Sequence, residues 1–337
     1  MLEQERLIKH KALTNFFTAI NIPGRIIRDY LILLLISGCA ISSNIKLEEG
    51  IQNLEDGRYR TAITYFNEAI DENPYNSEIY FYRARAKEKT EDYKGAIDDY
   101  SAAISLDSSI VKYYLNRGLI YVSVANYTKA ITNFNSAELI DSVNPAVYFN
   151  RAYAKEFLSD YEAAIEDYTK SILLDSTNEK SFVNRGSLYS RTGDYENAVR
   201  DYSEAIRLNP DDGIAYENRA QDYLILGNSD GAIDDLGMAI KFNPVNIDNY
   251  FTRAEARISQ NNFLAAAVDY TMIIYLNDKD ATAYYNRGIC YANINLKENA
   301  CADFNKAGQL GMFEAYQVIK DYCEKKEEVK PKGKQKK

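Results

Sequence analysis

The sequence predicts an all-α solenoid of about eight 34-residue helix–turn–helix units, closed by a C-terminal capping helix. Three observations predict it. Arg recurs at 83, 117, 151, 185, 219, 253 and 287, and Ala at 62, 96, 130, 164, 198, 232, 266 and 300, with no slip in the interval. Self-similarity at a fixed period of this length is the mark of stacked supersecondary units. Within a unit the apolar residues fall at helical spacing, as Ala96, Ile97, Tyr100 and Ile104 do. Finally, small residues (Gly50, Ala84, Gly118, Ala152, Gly186, Ala220, Ala254, Gly288) alternate with bulky ones (Phe66, Tyr100, Phe134, Tyr168, Tyr202, Leu236, Tyr270, Phe304) in the same period. Two helices alone cannot bury such a face, so the units must stack.

The elements follow in order. Residues 1–38 stand apart from the repeats. Eight units then occupy 43–76, 77–110, 111–144, 145–178, 179–212, 213–246, 247–280 and 281–314, read as one continuous array. In the second, one helix is predicted over Ser77–Lys89 and another over Tyr93–Leu106. Breakers such as Glu91-Asp92, Asn126, Gly193-Asp194 and Asn261-Asn262 separate the helices of a pair, and clusters such as Asn73-Pro74, Asn209-Pro210 and Asn243-Pro244 end the units. Gly308 to Gly311 breaks the eighth unit. Met312 to Lys325 then reads as a single amphipathic helix bearing Ala315, Tyr316, Ile319 and Tyr322, the polar-backed cap a solenoid end requires. Residues 326–337, with Pro331, Gly333 and a run of Lys, read as a disordered tail.

Composition excludes several functions. The only histidine of the 337 residues is His10, outside the repeats, so histidine acid–base chemistry and His-ligated metals are not expected in the body. The Cys residues at 39, 290, 301 and 323 form no Cys-x-x-Cys pair. A net charge of −9 conceals a body of −16 between an N-terminal segment of +2 and a tail of +5. So acidic a body repels phosphate backbones, and no nucleic-acid partner is expected. Phosphate loops, dinucleotide fingerprints and paired nucleophile and base are absent, and the carboxylates are distributed by the repeat. The chain is read as a non-enzyme with no cofactor, no metal and no small-molecule substrate.

The columns resemble the tetratricopeptide repeat family over about residues 43–314. In the unit 179–212 they are Phe182, Gly186, Tyr189, Ala198, Tyr202, Ala205 and Pro210. Two departures are the Pro column, kept only at Pro74, Pro210 and Pro244, and the Arg preceding the small residue. The resemblance implies a right-handed superhelix of antiparallel helix pairs, whose first helices line a concave groove that binds a protein or peptide.

Residues 25–39 run from Arg25 and Arg28 through an apolar stretch, Tyr30 to Ile36, to Ser37, Gly38 and Cys39. Basic, apolar, small is the order of a secretory signal, and the stretch is too short to span a bilayer. Its Ile-Ser-Gly-Cys end resembles the lipobox of bacterial lipoproteins, which implies cleavage after residue 38, lipidation of Cys39 and a membrane anchor. With Ala40 following, the implied location is the outer membrane, on its periplasmic or cell-surface side. Residues 1–24, with acidic Glu3 and Glu5, precede this signal and are read as a start placed upstream of the true one. Should the signal prove spurious, a cytosolic adaptor is the alternative; a peptidoglycan-acting or enzyme-associated envelope protein is a further one.

Three sets of residues are candidates for interaction. Beside the Arg column runs an acidic one, Asp99, Asn133, Asp167, Asp201, Asp235, Asp269 and Asp303. It is read as a structural ion pair within each unit, against a ligand-binding Arg ladder. Immediately before the Arg column stand Asn116, Asn150, Asn184, Asn218 and Asn286. An Asn side chain can pair with a peptide's C=O and N–H together, so this column is expected to hold an extended segment. It resembles the asparagine ladder of the O-linked N-acetylglucosamine transferase repeats. The neighbouring Phe149, Phe251 and Tyr285 would supply side-chain selectivity. The alternative makes these Asn local helix-surface residues. Last, Cys301 and Cys323 lie on faces that meet when units stack, and a disulfide between them is expected. A Cys290–Cys301 pair and free thiols are the alternatives.

Overall fold

A computed structural model describes residues 42–324. Among them are seventeen α-helices and no strand. Residues 42–55 form α1, followed by α2 (Tyr59–Glu72), α3 (Ser77–Lys89), α4 (Tyr93–Leu106), α5 (Val111–Ser123), α6 (Tyr127–Ile140) and α7 (Pro145–Phe157). Then come α8 (Tyr161–Leu174), α9 (Glu179–Thr192), α10 (Tyr195–Leu208), α11 (Gly213–Ile225), α12 (Ser229–Phe242), α13 (Ile247–Ser259), α14 (Phe263–Leu276), α15 (Ala281–Asn293), α16 (Lys297–Gln309) and α17 (Glu314–Val318). Consecutive helices pack as pairs, so the chain is an α-solenoid of helix–turn–helix repeats. Two compact units divide it, the first ending at Asp160 and the second starting at Tyr161. Nothing in the sequence marks that division, which falls inside the repeat 145–178. In a stack whose repeats touch only their neighbours, no single core spans the chain.

Within each compact unit the same contact recurs from pair to pair. The bulky residue of a second helix lies against the small residue of the first, and Phe66, Tyr100, Phe134, Tyr202, Leu236, Tyr270 and Phe304 are all buried. The choice of small residue tracks the ring. A Cβ added to Gly50, Gly118 or Gly288 would stand 2.4, 2.5 or 2.8 Å from Cε1 of Phe66, Phe134 or Phe304. Where Tyr100, Leu236 or Tyr270 stands opposite, the first helix carries Ala84, Ala220 or Ala254. Gly186 opposite Tyr202 is the roomier exception, at 3.1 Å.

The turns repeat as faithfully. Residues 57, 91, 125, 159, 193, 227, 261 and 295 all have φ between 55° and 85°, although only three of them are glycine. That conformation reverses the chain tightly between paired helices and strains Glu91, Ala125 and Ser159. Asp92, Asn126, Asp194, Asn228 and Asn262 each follow it and accept a backbone N–H at the start of the next helix. The turns between repeats are closed by Tyr80 and Tyr250, whose hydroxyls donate to the carbonyls of Pro74 and Pro244.

One expected element is different. The pattern predicts a helix over Met312–Lys325, whereas α17 starts at Glu314 and passes at Ile319 into a π turn ending at Cys323. The wider turn, closed by Glu324 N–H donating to the Ile319 carbonyl, carries one of the two disulfide cysteines. Apolar spacing cannot tell a π turn from an α turn, because both leave the residues on one side of the cap.

Candidate peptide-binding face

The Arg column is committed to the fold. Arg185 donates through Nε and Nη2 to both carboxylate oxygens of Asp201 at 2.7 Å, and Arg219 does the same to Asp235. Arg83–Asp99, Arg253–Asp269 and Arg287–Asp303 repeat the fork. The third donor, Nη1, reaches the second helix of the preceding repeat in most copies. Arg83 meets Asn67, Arg117 meets Ser101, Arg185 meets Thr169, Arg219 meets Ser203 and Arg287 meets Thr271, at 2.7–3.1 Å. Each guanidinium also lies 5.4–5.9 Å from the ring of the aromatic residue three positions before it. One side chain thus joins three helices, with buried carboxylates in bidentate geometry. The within-unit pairing holds for these five carboxylates, but the inter-repeat bond was missed. Its signal is the Asn/Ser/Thr column sixteen residues before each Arg, broken at Gly237.

Three repeats vary the theme. Asp99 receives a second cation from Lys87 at 2.8 Å, and Asp269 from Arg257 at 2.6 Å. Arg117 faces the neutral Asn133 Oδ1 at 2.8 Å, and burial lowers its pKa.

The Asn column lies on the first helices, half-buried throughout. Asn116 and Asn150 each donate one amide N–H to their own helix, at the carbonyls of Lys112 and Ala146. Asn184 donates to the Tyr168 hydroxyl at 3.1 Å, on the second helix of the preceding repeat, and Asn286 holds the same register relative to Tyr270. Among the described residues no hydrogen bond engages Asn218. The local reading therefore accounts for one donor of Asn116 and of Asn150, and not for the other three. The carbonyl oxygen and the second N–H of each make no bond among the described residues.

The aromatic neighbours are half-buried as well. Phe251 meets the Tyr270 ring edge-on at 5.8 Å and Tyr285 meets Phe304 at 5.6 Å. Phe149 is likewise half-buried on α7. In the same register Glu217 accepts from the amides of Asn246 and Asn249 and borders a hollow of about 380 Å³ lined by Asp211, Asp212, Ile214 and Phe242. The side chains thus offer amide pairs, aromatic faces and one acidic hollow.

Sequence reasoning also passed over Asp222. It is buried in a column that otherwise holds Ala86, Ile120, Ala154, Leu188, Ala256 and Cys290. Ser190 Oγ donates to it at 2.6 Å, and desolvation raises its pKa. Burial likewise pushes the Cys290 thiol up to about 11. Cys290 is free, while Cys301 and Cys323 are joined in a disulfide with Cα atoms 5.8 Å apart. Cys39 lies outside the described residues. Among those described, no group of three His, Cys, Asp or Glu could hold a metal, and no helix is long and apolar enough to cross a membrane.

Repeated helix pairs and a shared small-to-bulky contact define the class of α-solenoid repeat proteins. Family models described as tetratricopeptide repeat match residues 47–109, 111–144, 145–178, 179–212 and 281–309. The chain belongs to the tetratricopeptide repeat family. It is 34% identical over 67 residues to stress-induced-phosphoprotein 1 of Caenorhabditis elegans, a match covering 20% of this chain and 21% of that protein. Tetratricopeptide repeat protein 36 of Danio rerio is 34% identical over 76 residues, covering 21% of this chain and 41% of that one. The chain thus spans well under two thirds of these curated relatives. Among solved structures, the C-terminal part of a TPR repeat-containing protein from Cytophaga hutchinsonii matches with a TM-score of 0.63 and 18% identity, over 71% of this chain and 98% of that one. Pseudomonas aeruginosa pilF gives 0.56 and 17%, over 65% and 99%. YrrB, described as a TPR protein with an unusual peptide-binding site, gives 0.50 and 21%, over 56% and 97%. These likenesses are of fold.

Proposed function

We propose that this chain is a non-enzymatic scaffold that binds an extended protein segment along its first-helix face. A lipid on Cys39 would hold it to the outer membrane of a bacterial envelope. The observation that carries the binding reading is the Asn column, which repeats a carbonyl oxygen and an N–H beside side chains that change from repeat to repeat: Leu115, Phe149, Val183, Glu217, Phe251, Tyr285. Amide pairing holds a backbone whatever its sequence, and the varying neighbours select side chains. The acidic hollow at Glu217 suits a basic or amide side chain of the bound segment. The unusual peptide-binding site of YrrB supports the same use of the fold. Bacterial sources among the structural neighbours, the signal-like order of residues 25–39 and a disulfide suited to an oxidising compartment support the envelope.

The test separates the two parts. Mass spectrometry of membrane-extracted protein is expected to find an acylated N-terminal peptide beginning at Cys39; a soluble chain beginning at Met1 refutes the anchor alone. For binding, the triple variant Asn116→Ala, Asn150→Ala, Asn218→Ala avoids Asn184, which holds a tyrosine hydroxyl, and Asn286 in the same register. Its melting temperature should stay near that of the parent. Affinity for the partner purified from native membranes should fall at least tenfold, about 1.4 kcal/mol. Unchanged affinity moves the binding surface off the first helices.

A further inference from the structure

The inner side of α14 matches every other second helix, but its outer side does not. Leu264, Val268, Met272 and Tyr275 are exposed by 63, 57, 37 and 81%. Their spacing of four, four and three places them in one stripe along the helix. In other repeats the register of Leu264 holds Lys94 or Glu196, and that of Val268 holds Asp98, Arg200 or Asp234. A contiguous apolar stripe on an otherwise charged surface marks an interaction site.

The flanking charges say what fits it. One repeat before and one after, in the register of the stripe's N-terminal half, stand the exposed carboxylates Asp230, Asp234 and Glu298. Lys297, the cation beside Glu298, lies over the Tyr322 ring at 5.8 Å. In the register of the C-terminal half stand exposed Lys241 and Lys306. The face is therefore acidic at one end, basic at the other and apolar between. A two-fold axis through the middle of α14 lays one copy's acidic end on the other's basic end, twice, and stacks the two stripes antiparallel. Isologous contacts require such self-complementarity.

We propose that this face binds a second copy of the chain, forming an antiparallel two-fold dimer through α14. Four side chains make a small interface, so weak association at tens of micromolar is expected. The dimer is independent of the groove and of the anchor.

Sedimentation velocity of the full chain in detergent solution tests it. The parent should be dimeric at tens of micromolar. Val268→Asp should be monomeric, and Arg200→Asp, at the same register of α10, should leave the dimer intact. The charge-swapped variants complete the test. Lys241→Glu with Lys306→Glu makes the face wholly acidic, and Asp230→Lys, Asp234→Lys with Glu298→Lys makes it wholly basic. Each alone should be folded and monomeric, and an equimolar mixture should restore a dimer containing both. A parent monomeric at 100 µM overturns the proposal, whether the stripe stays bare or is covered by the chain's own tail. A dimer that survives Val268→Asp, or a mixture that fails to associate, overturns it equally.

Discussion

The repeats 179–212 and 247–280 are alike inside and opposite outside. Both bury an Ala, an Asp and a Tyr in register on the second helix, Ala198, Asp201 and Tyr202 in one and Ala266, Asp269 and Tyr270 in the other. Both fork an Arg onto that Asp. On the outer side α10 carries Glu196, Arg200, Glu204 and Arg207 where α14 carries Leu264, Val268, Met272 and Tyr275. The comparison teaches that the 34-residue period constrains what neighbouring repeats must share and leaves the solvent side free to differ. A surface that departs from its own repeat is then a better guide to interaction than one that follows it.

The largest test acts on the shared interior. Arg185→Ala leaves Asp201 buried without a cation, and breaking such a pair costs about 3–5 kcal/mol. Arg253→Ala should cost clearly less, because Arg257 still holds Asp269 at 2.6 Å. Urea denaturation of the two variants makes the comparison; equal losses would show that the second cation contributes nothing.

A repeat lying between the two sharpens the contrast. Asp222 occupies the position of buried Leu188 and Ala256 and is itself 2% exposed. Its folded pKa is raised by desolvation above the ordinary value of 3.8. For a raised carboxyl the protonated folded form is favoured. Its contribution to stability is fully present below the unfolded pKa and is lost as pH rises through the folded value. Asp222→Asn keeps the polar contact with Ser190 and removes the charge. It should therefore raise the melting temperature at pH 7, with the gain disappearing as pH falls toward 4. A gain that is the same at both pH values would assign the effect to packing.

The smallest effect belongs to the outer side. Val268→Arg copies the α10 residue onto α14 and should change monomer stability by no more than about 0.5 kcal/mol, since surface substitutions away from special features rarely do more. Thermal melts at submicromolar concentration measure it without interference from association. A loss above about 1 kcal/mol would mean that Val268 belongs to the core.

Much of this was legible in the residues alone. The period, the helix spans 77–89 and 93–106, the small-to-bulky columns and the within-unit Arg–Asp pairing all follow from residue types recurring at fixed spacing. Periodicity exposes whatever every repeat must satisfy in the same way. The Asn column was visible too, but not that Asn184 would turn to a tyrosine hydroxyl while Asn116 and Asn150 bonded their own helices. Those choices depend on whether the preceding second helix offers a hydroxyl within reach, which is a distance rather than a pattern.

Residue order alone thus predicted repeated helix pairs with a common interior, because each repeat is an independent reading of the same packing problem. Three-dimensional packing settled the rest. Arg Nη1 crosses to the previous repeat, Gly50, Gly118 and Gly288 are required because a phenylalanine ring lies within 3 Å of where a Cβ would stand, and the cap ends in a π turn at Cys323. Each of these depends on atoms far apart in sequence meeting at ångström separations, and spacing along the chain carries no record of such distances.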